Sequence, residues 1–274
     1  MELQLSSGTV ERDGEELYWE LAGLGDDDDR EVVVLSHGAG GSHAVWYQQV
    51  PALCRTHRVL TWDSRGFGNS TNHAETPTAE AAAADLAAIL DEHTIERPHL
   101  VGQSMGGWHI GSFAMSHPTR VRSLVFADTV GGLWTPELRE ALAEFNASGG
   151  LVGDGPTIVG GHRALWPGTA MRDAAHAFLY QALGSFHDPP LAELRRTIDF
   201  TIDHADIAAL DVPVLFVAGT YDQIFPADLL AASASLIPGA RYVEIPAAGH
   251  SPYFEQPDAW NDAVGNFLNA IDAG

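Results

Sequence analysis

The feature that most constrains this chain is a serine between two glycines, Gly102-x-Ser104-x-Gly106, at the end of a short apolar run. The run, Leu100-Val101, predicts a strand, and the apolar residues after the pattern predict a helix. Between the two, the glycines predict a turn so sharp that its central residue is strained, which lifts the serine hydroxyl clear of the sheet edge. The stretch therefore predicts a nucleophilic serine, with an ordinary strand-to-helix turn as the simpler alternative.

Strand-like and helix-like segments alternate along most of the 274 residues. Short β-branched runs predict strands buried on both faces, and helical spacing follows most of them. This alternation predicts an α/β fold, with a mostly parallel central sheet flanked by helices. Strands are expected at residues 9–12 and 17–21 (a hairpin with an Asp13-Gly14 turn), 32–35, 59–62, just before Ser104, and at 121–127, 212–218 and 242–245. Helices are expected around 45–53, at 78–93, after Ser104, from 226, and along the C-terminal segment.

The middle of the chain, residues 131–209, has a different pattern. Its apolar residues recur at helical spacing, and no strong strand signal interrupts them. We therefore expect a helical lid inserted after the sixth strand, with residues 1–130 and 210–274 forming the core. Aromatic residues of the lid, among them Trp134, Trp166 and Phe178, are expected first in its packing core and second in an acyl pocket.

The charge of the chain limits the classes of partner that it can bind. There are 14 basic residues, all of them arginine, against 37 acidic ones, for a formal net charge of −23. Such a chain repels nucleic acid and anionic membranes, so neither is an expected partner. The absence of lysine excludes Schiff-base catalysis and a P-loop. The acidic run at residues 26–29 is expected to be a solvated loop and not a metal site, because consecutive carboxylates repel each other.

Other features indicate the compartment. Cys54 is the single cysteine, which excludes an intramolecular disulfide and suits a reducing environment. The first residues carry neither a basic nor an apolar signal region, and no apolar run has the length of a membrane span. We therefore expect a cytoplasmic protein.

Three residues with catalytic chemistry follow predicted strands, where reactive groups gather in parallel sheets. Ser104 is followed along the chain by Asp222, in Gly219-Thr220-Tyr221-Asp222, and then by His250, and this Ser, Asp, His order is a known one for the triad. Asp128 also follows a strand and is the alternative acid.

The chain resembles the α/β-hydrolase superfamily over nearly its whole length, and within it the lidded esterases, enol-lactonases and cofactor-free haloperoxidases. The motifs that carry the resemblance are His37-Gly38-x-Gly40, Asp63-x-Arg65-Gly66-x-Gly68-x-Ser70, Gly102-x-Ser104-x-Gly106-Gly107, Gly219-x-x-Asp222 and Gly249-His250-Ser251.

The resemblance implies an α/β-hydrolase fold and a serine esterase or lactonase that acts on a small molecule without a cofactor or metal. Ser104 would be the nucleophile, His250 its base and Asp222, from the family's usual acid position, the residue that orients the base. The backbone N–H groups of Met105 and, by resemblance, Ala39 would form the oxyanion hole. Asp63 and Arg65 are expected to be structural.

Departures from related families exclude several activities. Serine at position 104 argues against dehalogenases and epoxide hydrolases, which use aspartate there. Ser251 stands where the family's carbon–carbon bond hydrolases have tryptophan, and the absence of lysine disfavours a hydroxynitrile lyase. A ligand-binding receptor with slow or vestigial hydrolysis is the alternative from another functional class. The natural substrate and the oligomeric state stay open.

Overall fold

The structure, a computed structural model, describes residues 3–25, 29–73, 77–150, 162–185 and 195–274. Most of the acidic run at 26–29 lies outside the described residues, as do residues 151–161 and 186–194 of the predicted lid. None of the helices in the described part combines the length and the apolar character needed to cross a bilayer.

The described residues form one eight-stranded sheet in the order β1-β2-β4-β3-β5-β6-β7-β8. β1 and β2 form an antiparallel hairpin and β2 pairs antiparallel with β4, whereas all later pairings are parallel. This arrangement is the mostly parallel sheet that the sequence predicts. The strands are β1 Gln4–Arg12, β2 Glu15–Gly23, β3 Val32–Ser36, β4 Arg58–Trp62, β5 His99–Gln103, β6 Ser123–Ala127, β7 Val214–Gly219 and β8 Arg241–Ile245.

Helices cover both faces of the sheet and fill the segment between β6 and β7. Short 3₁₀ helices at His43–Trp46 and Pro118–Arg120 supplement them. The α-helices are α1 Val50–Leu53, α2 Ala79–Glu92, α3 Met105–Ser116, α4 Pro136–Ala147, α5 Thr169–Arg172, α6 Ala174–Leu183, α7 Arg195–Ile198, α8 His204–Ala208, α9 Ala227–Ser235, α10 Pro252–Glu255 and α11 Pro257–Asp272.

One predicted helix is wrong in detail. The sequence predicts a single helix around residues 45–53, but the structure has a 3₁₀ helix, a turn and then α1. Pro51 accounts for the interruption, because it has no N–H to donate and fits only in the first turn of a helix, where it stands in α1. The predicted hairpin is confirmed, and its turn has Asp13 at φ 54° and Gly14 at φ 80°.

The two faces of the sheet have separate apolar cores. Along β3, Val32 and Val34 pack into one core, whereas Val33 and Leu35 pack into the other, as the alternation of side chains along a strand requires. Helices α2 and α3 contribute to the first core and α11 to the second. The predicted C-terminal helix is confirmed, and it buries Trp260, Val264, Phe267 and Leu268 in the second core.

The parallel register brings the carboxyl ends of β5, β6, β7 and β8 to one edge of the sheet. Ser104 directly follows β5, and Asp128 directly follows β6. Asp222 lies in the turn after β7, and His250 lies in the loop after β8. The segment that contains helices α4–α8 leaves the sheet after β6, so it begins at this same edge.

Candidate active site

Ser104 lies at the tip of the turn between β5 and α3, with φ 49° and ψ −119°, a backbone conformation that non-glycine residues rarely adopt. The turn can close this tightly because position 106 has no side chain. A Cβ on Gly106 would overlap the backbone carbonyls of Ser36 and His37 at the end of β3. The sharp, strained turn predicted from the glycine–serine pattern is therefore present.

His250 lies next to Ser104, with its Nε2 2.8 Å from the Ser104 Oγ. Its Nδ1 lies 2.8 Å from Oδ2 of Asp222. With the ring proton on Nδ1 and donated to the carboxylate, the Nε2 lone pair faces the serine hydroxyl. The backbone of His250 is anchored as well, because its carbonyl accepts a hydrogen bond from the Gln103 side chain at 2.8 Å.

Asp222 is fixed by its own turn. Its Oδ1 accepts hydrogen bonds from the N–H groups of Ile224 at 2.8 Å and Phe225 at 3.1 Å. These bonds use one carboxylate oxygen and leave Oδ2 for His250. Asp222 and His250 are both buried, so little water competes for the bond between them.

Asp128, the alternative acid, is fully buried near the other two residues, but its hydrogen bond goes elsewhere. Its Oδ1 accepts the N–H of Gly219 at 2.8 Å, and no donor among the described residues reaches its Oδ2. Burial, and after it the charge of Asp222, raises the pKa of Asp128 well above its ordinary value. The geometry favours Asp222 as the residue that orients His250, with Asp128 as a neutral neighbour.

Ser104 and His250 face a cavity of about 190 Å³. The loop after β3, which includes Ala39, forms part of the lining, and α6 and the segment before α5 form another part. Met105 does not line the cavity; it packs against Phe67 and Ala39 beside it. The residues that line the cavity are Gly38, Ala39, Gly40, Gly41, Val45, Gln103, Ser104, His162, Ala164, Tyr180, Gln181, Leu183, Gly184, His250, Tyr253 and Phe254.

His37 anchors the loop that carries Ala39. Its Nδ1–H donates to the Gly38 carbonyl at 2.9 Å, and its Nε2 accepts the N–H of Ser64 at 3.1 Å. Burial lowers the pKa of His37, which keeps the ring neutral and able to make both bonds. This histidine therefore ties the proposed oxyanion loop to the loop after β4.

The loop after β4 has a structural role, as the sequence suggests for Asp63 and Arg65, although the two do not pair with each other. Asp63 accepts the N–H groups of His43 and Asn69, and Arg65 forms a two-pronged bond to Asp85 at 2.6 and 2.7 Å. Neither lines the cavity.

Sequence reasoning missed His162, which lines the cavity. Its Nδ1 accepts the N–H of Ala164 at 3.2 Å, so the ring proton lies on Nε2. Burial, and after it the neighbouring His250, lowers the pKa of His162, so the ring is a neutral donor. With 13 histidines in the chain, the sequence had no signal that could single this one out.

The aromatic residues singled out in the predicted lid do not line this cavity. Trp134 packs against Trp108 and Phe225, and Trp166 stacks on Tyr221. Phe178 is 57% exposed, so its expected place in the packing core is wrong. The neighbouring turn of α6 presents Gln181 and Leu183 to the cavity instead.

Comparison with known proteins adds the family. The sequence profile described as alpha/beta hydrolase fold matches residues 31–148 and 169–257. A protein provisionally assigned as carbamate hydrolase RutD, from Caulobacter sp. (strain K31), is 32% identical, over 97% of this chain and 98% of its own. The pimeloyl-acyl-carrier-protein methyl ester esterase of Aeromonas hydrophila subsp. hydrophila is 28% identical, over 86% and 94%. A solved thermophilic esterase from Thermogutta terrifontis matches with a TM-score of 0.76 and 28% identity, over 98% and 99%.

Proposed function

Since this chain belongs to the α/β-hydrolase family, we propose that it is a serine hydrolase that cleaves a small carboxylic ester or lactone through an acyl-serine intermediate. The observation that carries the proposal is the pair of 2.8 Å hydrogen bonds that links Asp222, His250 and Ser104. A serine hydroxyl becomes an effective nucleophile only when a base removes its proton during attack. The bond to His250 supplies that base.

In the proposed mechanism, the Ser104 oxygen attacks the substrate carbonyl while His250 takes the hydroxyl proton on Nε2. Asp222 stabilises the resulting imidazolium through its bond to Nδ1. His250 then gives the proton to the leaving alcohol oxygen, and the carbonyl–oxygen bond breaks to leave an acyl-serine. A water molecule, deprotonated by the same ring, attacks the acyl group. The bond between the acyl carbon and Ser104 Oγ then breaks, and His250 returns the proton to that oxygen as the acid product leaves.

The oxyanion of each tetrahedral intermediate needs donors that are already in place. We assign this role to the backbone N–H groups of Met105 and Ala39. Met105 begins α3 directly after the nucleophile, and Ala39 lines the cavity beside it. A single donor of this kind contributes roughly 3–4 kcal/mol to transition-state stabilisation.

The substrate is proposed to be small and uncharged. The cavity of about 190 Å³ suits a small acyl or alcohol group, and no arginine lines it in the described part of the chain. The net charge of −23 also disfavours anionic substrates. Esters head the proposal because two of the relatives named above are esterases.

We further propose that residues 131–209 form a lid over this cavity. Helices α4–α8 belong to this segment, and its His162, Ala164 and α6 residues line the cavity opposite Ser104. A lid in this position would exclude water from the acyl-enzyme and supply apolar surface for the substrate.

A substrate panel tests the proposed function. Purified protein is assayed on short-chain p-nitrophenyl esters, on lactones of four- to six-carbon acids and on a carbamate, with the Ser104→Ala variant as the blank. Ester or lactone turnover that is lost in the variant supports the proposal. Turnover of the carbamate alone would change the proposed substrate class from esters and lactones to carbamates. Binding of panel compounds without turnover of any of them would favour the receptor-like alternative.

A further inference from the structure

Glu255 is a buried carboxylate that the proposed mechanism does not use. It ends α10, five residues after His250, and is 5% exposed. Its Oε1 accepts the N–H of Trp166 at 2.7 Å and the hydroxyl of Thr169. Its Oε2 accepts the N–H of Gly249 at 2.6 Å. One carboxylate therefore joins two distant parts of the chain.

The two parts that Glu255 joins both belong to the candidate active site. Residues 164–169, the docking segment, belong to the proposed lid, and Ala164 lines the cavity. Residues 246–251, the histidine loop, carry His250. Gly249, whose N–H binds Glu255, immediately precedes His250, so this bond fixes the Ala248–Gly249 peptide unit next to the backbone of His250.

The docking segment also touches the histidine loop directly. The N–H of His250 itself donates to the Ala164 carbonyl at 2.8 Å. At Gly249 the two backbones approach so closely that a Cβ would lie 2.7 Å from the Trp166 nitrogen and 2.8 Å from the Leu165 carbonyl carbon. The contact is therefore backbone against backbone, and Glu255 binds both sides of it.

The hydrogen bonds that Glu255 accepts suit an ionised carboxylate, which is an acceptor only. Burial raises the pKa of Glu255, while the Thr169 hydroxyl and the N–H groups of Gly249 and Trp166 act in the opposite direction. A buried carboxylate without these donors would be costly, so the docking segment and the histidine loop stabilise Glu255 only when both are in place.

We propose that Glu255 is a positioning residue: by binding the docking segment and the histidine loop together, it makes the placement of His250 depend on the seating of the lid. The inference rests on the proposed function, because it assigns Glu255 a role through His250. Its consequence is that a substrate in the cavity that shifts the docking segment also shifts His250.

The test compares Glu255→Gln with the wild-type chain. The amide keeps one acceptor oxygen but places an NH₂ group against an N–H donor, so one side of the bridge is lost. Two readouts are used: the reaction of Ser104 with a p-nitrophenyl phosphonate, resolved into a maximal rate and a half-saturating concentration, and hydrogen exchange at the amides of Trp166, Gly249 and His250. Rates are normalised to the folded fraction.

A matched control is Glu15→Gln, in a second buried glutamate that binds Thr71 and the N–H of His73 outside the site. For Glu255→Gln we expect a maximal labelling rate at least tenfold lower, a half-saturating concentration within twofold of wild type, and faster exchange at the three amides. Glu15→Gln should lower stability while both labelling constants stay within twofold.

Labelling at the wild-type maximal rate in Glu255→Gln would overturn the inference, and so would a loss of equal size in Glu15→Gln. If Glu255→Gln does not fold, the same measurements are made on Glu255→Asp and judged by the same outcomes. The side chain of this second variant is one methylene shorter, so its carboxylate cannot reach both partners. A wild-type chain that is not labelled at Ser104 would contradict the proposed function and not the role of Glu255. Hydrogen exchange tests that role on its own: unchanged exchange at the three amides in Glu255→Gln would overturn it.

Discussion

A carboxylate oxygen of Asp128 lies within 4.8 Å of one of Asp222, and each of these oxygens lies within 4.8 Å of a ring nitrogen of His250. Asp222 accepts the hydrogen bond from Nδ1 of His250, whereas Asp128 accepts the N–H of Gly219. Two buried carboxylates this close cannot both ionise without strong repulsion. In our account Asp128 is the carboxyl that stays neutral, because burial raises its pKa well above the ordinary value.

The first prediction concerns Asp222. Asp222→Asn should fold normally but lose on the order of 10⁴ in turnover, because an amide donor in place of Oδ2 favours the wrong tautomer of His250. Asp128→Asn should keep turnover within about tenfold of wild type. Steady-state kinetics on the best ester of the panel check this, and a crippled Asp128→Asn with a mild Asp222→Asn would reverse the acid assignment.

The second prediction concerns the stability that Asp128 contributes. Because burial raises the pKa of Asp128 in the folded state, its neutral form is favoured there, and its contribution to stability is complete below about pH 4. As the pH rises toward the folded pKa, the unfolded chain loses its proton first, and stability falls. Asp128→Asn lacks this loss, so its free energy of unfolding relative to wild type should increase between pH 4 and pH 8.

Urea unfolding of the two proteins across that range measures the difference. The relevant quantity is the change with pH and not the offset at any one pH, because the amide also alters local packing. Parallel stability curves would show that Asp128 is ionised in the folded protein.

The third prediction concerns the stability of the folded chain at acid pH. His57 and His99 both bind Asp272 through their Nε2 atoms, at 3.0 and 3.2 Å. Burial lowers the pKa of His99 to about 4 and also lowers that of His57, so both rings are neutral in the folded chain. Their stabilising effect is complete above the unfolded pKa of about 6.5 and is lost as the pH falls from there toward 4.

The loss attributable to His99 is on the order of 3 kcal/mol, from its shift in pKa. We therefore expect His99→Gln to destabilise the chain at pH 7.5 but to flatten the dependence of the unfolding free energy between pH 6.5 and pH 4. Chemical denaturation at four pH values checks it. An undiminished slope in the variant would place the acid sensitivity elsewhere.

The fourth prediction separates two residues of α6. Leu183 lines the cavity, whereas Phe178 is 57% exposed. Leu183→Ala should change the preference between short and long acyl chains by roughly 1–3 kcal/mol for each methylene of fit, and Phe178→Ala should leave that preference unchanged. A chain-length series of p-nitrophenyl esters measures both. Equal effects from the two variants would mean that the cavity is not the acyl pocket.

The sequence predicts those site residues that lie within a short motif or directly after a strand, and it does not predict the others. Ser104 lies in a turn whose glycines dictate its geometry, and Asp222 and His250 follow strands that the alternating pattern already predicts. All three could be proposed from short motifs. His162 and Leu183 could not, because they come from the segment between β6 and β7, where helical spacing indicates which residues share a face but not what that face meets.

The fold was predicted on the same basis, and its errors have local causes. The order of strands and helices followed from hydrophobic periodicity, since parallel strands are continuous apolar runs. The single helix expected around residues 45–53 is wrong, because apolar periodicity does not reveal that Pro51 fits only in the first turn of a helix. The expected burial of Phe178 follows from its hydrophobicity alone, and no neighbouring residue in the sequence reveals that this face of α6 is open to solvent.

The most direct test of the central claim is intact-protein and peptide mass spectrometry after reaction with a serine-directed phosphonate. Our account predicts a single adduct per chain on Ser104, no adduct in Ser104→Ala, and ester turnover lower by about 10⁶ in that variant with its fold intact. An adduct on another residue, or a Ser104→Ala variant that still turns over the ester, would contradict it.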